Sequence, residues 1–221
     1  MRGSRPGRTR RQVTLAQSRL SCRHALSASR AGGAARAPVS PPAGRRVAPR
    51  GGAVSVVIRP ATPADAAHLP EVERSAGQTF LGSAFAYIAD DPVTDEATHA
   101  RHAAAGLEWV ADADGVPVGF LYAEVTGRDL HVSELSVRHD RQRQGLGRAL
   151  LDAAARAAVE RGLDALTLTT FRDLAWNAPA YRRLGFHDLA PGQDAWLDRI
   201  VASGERRFGP GTRCAMRRAL P

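Results

Sequence analysis

The most informative stretch of this chain is short and rich in glycine: Gln142-Arg143-Gln144-Gly145-Leu146-Gly147-Arg148. The apolar run at 130–137 before it predicts a strand, and the helical spacing at 147–161 after it predicts a helix that Gly162 ends. A glycine-rich turn at a helix N-terminus presents unpaired backbone N–H groups and the positive end of the helix dipole. With Arg141 beside it, the stretch predicts a cradle for a phosphate or pyrophosphate rather than an ordinary tight turn.

A second stretch lies about 36 residues farther along and ends a short helix predicted at 177–184. It reads Tyr181-Arg182-Arg183-Leu184-Gly185-Phe186. The glycine is a natural C-cap before the next strand. Taken alone, Tyr181 is typical of a half-buried core aromatic, whereas beside an anion cradle it becomes a candidate for chemistry.

The predicted strand at 130–137 carries apolar residues whose alternation changes phase. Leu130 and Val132 share one face, whereas Leu135 and Val137 share the other. A β-bulge near 133–135 would produce this slip, and it would free backbone groups to bind an extended ligand or an oxyanion. A strand that is buried on both faces is the alternative.

Both stretches resemble motifs of the GNAT superfamily of acyl-CoA N-acyltransferases, and the resemblance covers about 55–189. Gln142-x-x-Gly145-x-Gly147 matches the pyrophosphate motif of that family. Tyr181-x-x-Leu-Gly-Phe matches its usual ending. The resemblance implies an acetyl-CoA-dependent N-acetyltransferase that acts on a primary amine of a small molecule or peptide.

The resemblance also implies which residues hold acetyl-CoA. The pyrophosphate would lie on the first motif: Gln142, Arg143, Gln144, Gly145, Leu146, Gly147 and Arg148. The pantetheine would run beside the main chain of Leu135, Ser136 and Val137 as a β-like partner. The usual asparagine of the family lies about seven residues before the tyrosine, where this chain has Leu174. Asn177, four residues before the tyrosine, takes that contact in our assignment.

Two side chains carry the catalysis that the resemblance implies. Tyr181 would protonate the leaving thiolate, while a backbone N–H at the bulge stabilises the oxyanion. Glu134 lies at the bulge and is the candidate base, with an exposed strand carboxylate as the alternative of equal weight. Glu71 and Glu73 could line an acceptor pocket, but solvated surface charge is the favoured interpretation.

The order of predicted elements indicates an α+β fold with a mixed, mostly antiparallel central sheet flanked by helices, in agreement with the GNAT-like fold that the resemblance implies. Strands are predicted at 55–59, 107–111, 116–125, 130–137, 165–171 and 213–218, and helices at 63–77, 94–105, 147–161, 177–184 and near 194–203. Thr62, Pro63 and Asp65 form the start signal of the first helix. An Asp-Gly turn joins the second and third strands as a hairpin.

Composition excludes several kinds of site. All 31 basic residues are Arg, and without Lys the chain has neither a Walker phosphate loop nor Schiff-base chemistry. Two cysteines, Cys22 and Cys214, make no disulfide framework and no Cys-rich zinc site. No apolar run approaches the ~18 residues of a membrane span, so we expect a cytoplasmic protein without a membrane partner.

The histidines give no metal-ligand pattern, and we expect no metal. His99 and His102 would share one face of the helix at 94–105 with Asp95. Their spacing of three is not that of the zinc motif. A solvated helix face is therefore the favoured interpretation.

The formal net charge of +9 is divided unevenly along the chain. Residues 1–53 hold 12 Arg and no Asp or Glu, which leaves 19 Arg against 22 acidic residues, a net charge of −3, for 54–221. We expect 1–53 to be a disordered Arg-rich extension and 54–221 to be the N-acetyltransferase domain. The extension is favoured as the product of a start site assigned too far upstream, ahead of a transit peptide and of an arm that binds nucleic acid.

The main alternative to an enzyme is a non-catalytic acyl-CoA-binding regulatory module. A nucleic-acid binder is least favoured, because the Arg-rich segment has no interleaved aromatic residues. The mildly acidic domain favours a cationic acceptor such as a polyamine, an aminoglycoside or a peptide amine. A homodimer is common in the family, and no feature of the sequence demonstrates one.

Overall fold

The computed structural model describes residues 45–47 and 55–221. Of the segment 1–53, for which we expect disorder, Arg45–Val47 are described and form the strand β1. The rest of that segment lies outside the described residues, so the disorder expected there stays a prediction.

One sheet contains all the described strands, in the spatial order β1-β2-β3-β4-β5-β6-β8-β7. Their bounds are Arg45–Val47 (β1), Val56–Pro60 (β2), Glu108–Ala113 (β3), Val116–Thr126 (β4), Asp129–Val137 (β5), Ala165–Phe171 (β6), His187–Asp188 (β7) and Arg213–Ala219 (β8). β5 and β6 run parallel, and every other neighbouring pair is antiparallel. The predicted mixed, mostly antiparallel sheet is therefore confirmed.

Helices cover both faces of the sheet. Their bounds are Leu69–Gly77 (α1), Glu96–Ala104 (α2), Leu146–Glu160 (α3), Ala178–Arg182 (α4) and Ala195–Phe208 (α5), with short 3-10 helices at Pro63–His68, Gln78–Phe80, Ala86–Asp90 and His139–Arg141. α1 packs on one face through Leu69 and Val72. α5 lies on the same face, where the rings of Trp196 and His131 are 4.7 Å apart. α3 packs on the opposite face through Leu150. Among the described residues, no helix is long and apolar enough to cross a membrane.

One extra residue in β5 produces the change of phase that the sequence shows. Tyr122 of β4 lies opposite Glu134, whereas its neighbour Ala123 lies opposite Val132, so Ser133 is inserted in β5. The bulge brings the apolar residues on both sides of it onto the face that α3 covers: Leu130, Val132, Leu135 and Val137. The predicted bulge is therefore confirmed, although the other face of β5 is largely buried as well.

β5 and β6 separate after a short stretch of parallel pairing. The ladder between them ends at His131 and Thr167. β5 continues to Val137 and β6 to Phe171, and in the described part of the chain no ladder joins 132–137 to 168–171. The two strands are therefore unpaired with each other at their carboxyl ends, and we call the region between 132–137 and 168–171 the wedge.

The predicted start of the first helical segment is confirmed and is tied to the sheet. Asp65 accepts hydrogen bonds from the N–H of Thr62 at 2.7 Å and from its hydroxyl at 2.8 Å. The guanidinium of Arg59 binds Asp65 at 2.8 Å and Asp112 of β3 at 2.7 Å. Burial opposes the charge of Asp65, but the bonds from Arg59 and Thr62 outweigh it and lower its pKa to about 2.

We expect Asp65→Asn to lower the free energy of unfolding by about 2 kcal/mol at pH 7, because Arg59 loses a charged partner. The pKa of Asp65 is lower in the folded protein than its usual value of 3.8, so its stabilisation is complete above about pH 4. That stabilisation is lost as the pH falls through about 2. Urea unfolding of both proteins at pH 7 and along a series from pH 4 to pH 2 measures this convergence.

Asp164→Asn is the matched control for this experiment. Asp164 also binds an arginine, Arg128, at 2.6 Å, but both side chains are exposed. Exposed ion pairs contribute little to stability because solvent screens them. Equal destabilisation in the two variants would contradict a specific role for Asp65.

Candidate functional site

The predicted anion cradle lies at the end of β5, beside the wedge. A shallow depression there is lined by residues of the connection from β5 to α3: Val137, Arg141, Gln142, Arg143, Gly145, Leu146 and Gly147. Gln144 and Arg148, the other members of the motif, are exposed next to it. The structure therefore brings the whole glycine-rich stretch together at one place.

Two residues in the left-handed region shape the backbone of this loop. Gly145, with a φ of 86°, is the N-cap of α3, and Arg143 has a φ of 60°. A Cβ at Gly145 would meet no atom within 4 Å, so glycine is needed there for its conformation and not for space. The first turn of α3 then directs N–H groups without intrahelical acceptors toward the depression, at the positive end of the helix dipole.

Gln142 fixes this loop from the inside. Its side-chain amide donates to the main-chain oxygen of Val137 at 3.1 Å and to the hydroxyl of Thr79 at 2.8 Å. These bonds tie the end of β5 to the 3-10 helix Gln78–Phe80. The carboxamide thus positions the loop, while the neighbouring arginines supply its positive charge.

Glu134 is buried, with 1% of its surface exposed. The hydroxyl of Ser136 donates to its carboxylate at 2.9 Å. Because side chains alternate along a strand and Leu135 packs toward α3, Glu134 faces the layer of α1 and α5. Its burial beside the bulge favours a site residue over an exposed strand carboxylate.

Tyr181 and Asn177 belong to α4 and its N-cap, and both are fully buried. Tyr181 packs edge-to-face on Phe186, with the ring centroids 5.5 Å apart, in the core that α3 shares. The side-chain amide of Asn177 donates to the hydroxyl of Thr170 in β6 at 2.8 Å. This bond holds α4, and with it Tyr181, on the β6 side of the wedge.

One buried charge near these residues, Arg213, was not predicted from the sequence. Arg213 begins β8, opposite Phe171 in the ladder, and is 2% exposed. Burial lowers its pKa to about 10, while Cys214, Glu134 and Tyr181 favour its charged form. The available signal was an arginine at the start of an otherwise apolar run, in a chain with 31 arginines.

Three side chains of α1 and α2 that were expected at the surface are buried against the rest of the protein. Glu73, 2% exposed, accepts a hydrogen bond from the N–H of Thr94 at 2.9 Å. His99 and His102 are 0% and 7% exposed, so the interpretation of a solvated helix face is wrong. The Nδ1 atom of His99 lies 2.7 Å from the carboxylate of Glu108 in β3.

The histidine face of α2 is buried because it packs on aromatic residues of β4. The ring centroids of His99 and Phe120 are 4.9 Å apart, and those of His102 and Tyr122 are 4.6 Å apart. Burial lowers the pKa of His99 to about 4 and raises that of Glu108 to about 8, so the pair carries no net charge at neutral pH. Within the part of the chain that the structure describes, no group of three or more His, Cys, Asp or Glu is placed to hold a metal ion.

The arrangement around the wedge combines an anion site with two proton-carrying groups. The cradle at its mouth offers backbone N–H groups and arginines. Glu134 approaches the wedge from the face of α1 and α5, and Tyr181 from the face of α3. An extended anionic ligand in the wedge would therefore lie between a carboxyl group and a phenol.

Residues 75–186 match the model of the acetyltransferase (GNAT) family. The chain is also 44% identical over 82 residues to a mycothiol acetyltransferase from Clavibacter michiganensis subsp. michiganensis, a match that covers 36% of this chain and 26% of that protein. A mycothiol acetyltransferase from Clavibacter sepedonicus is 42% identical over 89 residues, which cover 39% of this chain and 28% of that protein. The chain thus spans about a quarter of the length of these curated relatives.

Among solved structures, the fold is similar to that of the PaiA N-acetyltransferase from Thermoplasma acidophilum in complex with coenzyme A. The TM-score is 0.56 at 16% identity, and the match covers 75% of this chain and 99% of that one. At this identity the likeness shows the fold alone. The family model spans about half of the chain and includes the bulge, the cradle and Tyr181. The chain therefore belongs to the GNAT family of acetyltransferases.

Proposed function

We propose that this protein is an N-acetyltransferase that transfers the acetyl group of acetyl-CoA to a primary amine by direct attack. The observation that carries the proposal is the wedge between β5 and β6 with an anion cradle at its mouth. Membership of the GNAT family supports this reaction. The mycothiol acetyltransferases and the coenzyme A complex among its relatives support the same acyl donor.

The cradle suits the pyrophosphate of acetyl-CoA, and we assign it to the glycine-rich motif: Gln142, Arg143, Gln144, Gly145, Leu146, Gly147 and Arg148. The main chain of Leu135, Ser136 and Val137 borders the wedge where the β6 ladder has ended. These residues would pair with the pantetheine arm as a strand pairs with its neighbour. Asn177 supports the same site from the opposite wall through its bond to Thr170.

Glu134 and Tyr181 divide the proton transfers between them. Glu134 takes a proton from the ammonium group of the acceptor, directly or through a water molecule. The amine nitrogen then bonds to the thioester carbon, and a backbone N–H at the bulge stabilises the oxyanion. When the C–S bond breaks, Tyr181 gives its proton to the thiolate, and the proton that the nitrogen loses restores the phenol.

The charge of the domain proposed at 54–221 favours a cationic acceptor. Its 19 Arg and 22 acidic residues give a net charge of −3. Such a field attracts polyamines, aminoglycosides and peptide amines. A homodimer and a cytoplasmic location stay predictions.

We expect the full chain to release CoA thiol from acetyl-CoA with one class of amine in a panel of polyamines, aminoglycosides, amino acids and short lysine peptides. Turnover with one class would name the chemistry of the acceptor. Acetyl-CoA binding by calorimetry without turnover would favour the non-catalytic regulatory module. Absence of binding would contradict the assignment of the cradle.

We expect Tyr181→Phe to lower kcat by roughly 10²-fold or more, because the thiolate loses its proton donor. The affinity for acetyl-CoA should stay unchanged, since the ring that packs on Phe186 is kept. Thiol release and calorimetry on the same preparation separate the two effects. Tyr87→Phe is the control, because Tyr87 is 51% exposed, and equal activity of both variants would exclude Tyr181 as the acid.

We expect Gly145→Ala to weaken acetyl-CoA binding roughly tenfold, the equivalent of about 1.4 kcal/mol. The reason is that its φ of 86° strains any residue with a side chain and shifts the cradle N–H groups. Calorimetry measures the dissociation constant directly.

Gly162→Ala is the matched control for this substitution. Gly162 follows α3 at its other end with a φ of 69° and has no atom within 4 Å of an added Cβ. It therefore carries a similar backbone strain away from the cradle. A similar loss of affinity in both variants would show that helix strain, and not the cradle, is responsible.

A further inference from the structure

Arg213 lies in a slot between aromatic rings. Its guanidinium carbon is 4.7 Å from the centre of the Phe171 ring and 5.8 Å from that of Phe208. Its Nη2 atom is 3.5 Å from the hydroxyl of Thr169. A cation that is 2% exposed is costly to bury unless charged or polar groups offset its loss of water.

Gly204 provides the space that Arg213 occupies. It is buried inside the C-terminal half of α5, where glycine stabilises a helix less than alanine does. A Cβ at this position would lie 3.0 Å from the Cγ atom of Arg213 and 3.1 Å from its Nε atom. The helix therefore loses stability to admit the arginine, whereas an apolar residue at 213 would pack without a buried charge.

Arg213 and Glu134 lie on the same face of the sheet, the one that α1 and α5 cover. Glu134 and Tyr181 both favour the charged form of Arg213. On the elements around Glu134, the buried titratable groups are Glu73, Tyr122, His131, Tyr181, Arg213 and Cys214. Arg213 is the cation of this set, because burial lowers the pKa of His131 to about 4 and keeps its ring neutral at pH 7. Burial also raises the pKa of the Cys214 thiol to about 11.

We propose that Arg213 is a positioning residue for acetyl transfer, which keeps Glu134 ionised and in place at the bulge to accept the proton of the amine. The proposal rests on Glu134 as the base of the proposed function. Gly204 contributes to this positioning, because its missing side chain leaves room for Arg213 between α5 and the sheet.

The chemistry of the base explains why a buried cation is retained. A carboxyl group must be ionised to accept a proton, and burial alone favours its neutral form. A nearby guanidinium reverses that preference, and it stays charged in an apolar slot more readily than an ammonium group would. After Glu134 has taken the proton, the same cation favours its release to water.

Carbon-13 NMR of the full chain, labelled at the glutamate side-chain carboxyls, follows Glu134 without any ligand. The signal is assigned by its loss in Glu134→Gln. In Arg213→Met we expect the titration midpoint of this signal to rise by roughly 1–3 pH units, because an opposite charge has been removed. Arg213→Lys should recover only part of that shift, because an ammonium group loses its proton more readily in the buried slot. An unchanged midpoint in Arg213→Met would overturn the proposal.

Gly204→Ala tests the same influence of Arg213 on Glu134 in a protein that keeps every charge, and it serves if Arg213→Met does not fold. The added Cβ displaces the side chain of Arg213, so the midpoint should move in the same direction by a smaller amount. Ser203→Ala and Arg206→Met are controls at exposed positions of α5. An equal shift in Arg206→Met would assign the effect to net charge and overturn the proposal, as would an unchanged midpoint in Gly204→Ala.

Turnover separates this inference from the proposed function. With the panel amine that reacts fastest, the acid limb of the pH profile of kcat/KM should move to higher pH in Arg213→Met by the same amount as the NMR midpoint. A moved midpoint with an unmoved acid limb would remove Glu134 as the base and overturn the positioning role. A moved midpoint without turnover in any protein would overturn the proposed function, while the electrostatic control of Glu134 by Arg213 would stand.

Discussion

The inserted residue Ser133 is the constraint on which the other features of this structure depend. A regular strand with this sequence would turn either Leu130 and Val132 or Leu135 and Val137 away from α3, because one residue of slip inverts every side chain. The bulge keeps the apolar residues against α3 and directs Glu134 toward α1 and α5. It lies just beyond the last parallel pair of β5 and β6, so the strand that carries the bulge on its β4 side also borders the wedge on its β6 side.

The two faces of the sheet consequently carry different groups of the proposed site. The N-terminus of α3 and the phenol of Tyr181 belong to the face that would hold the acyl donor. Glu134 and Arg213 belong to the face from which an amine would approach. In the proposed reaction, the thioester lies in the wedge. None of the described strands pairs with β5 on its β6 side there, so groups from both faces of the sheet can reach the thioester.

Local signals in the sequence predicted the parts of the structure that local forces determine. The strand at 165–171 has the predicted bounds, and the start signal at Thr62 and Asp65 forms as expected. Arg213 and Gly204 escaped prediction because their contact joins β8 to α5 and has no signature at either position. The histidine face of α2 was misjudged because its burial depends on aromatic residues of β4, far away in sequence.

The short ladder between β5 and β6 has a consequence for thermodynamic linkage. Its three residue pairs are the pairing that joins the antiparallel unit β1–β5 to the antiparallel unit β6–β8. A molecule that binds in the wedge only while the two units are paired adds RT ln(1 + [L]/Kd) to the free energy of separating them. With acetyl-CoA bound as proposed, the free energy of separating the two units rises with the concentration of acetyl-CoA. The lifetime of the protein in the cell would then increase with the supply of its own acyl donor.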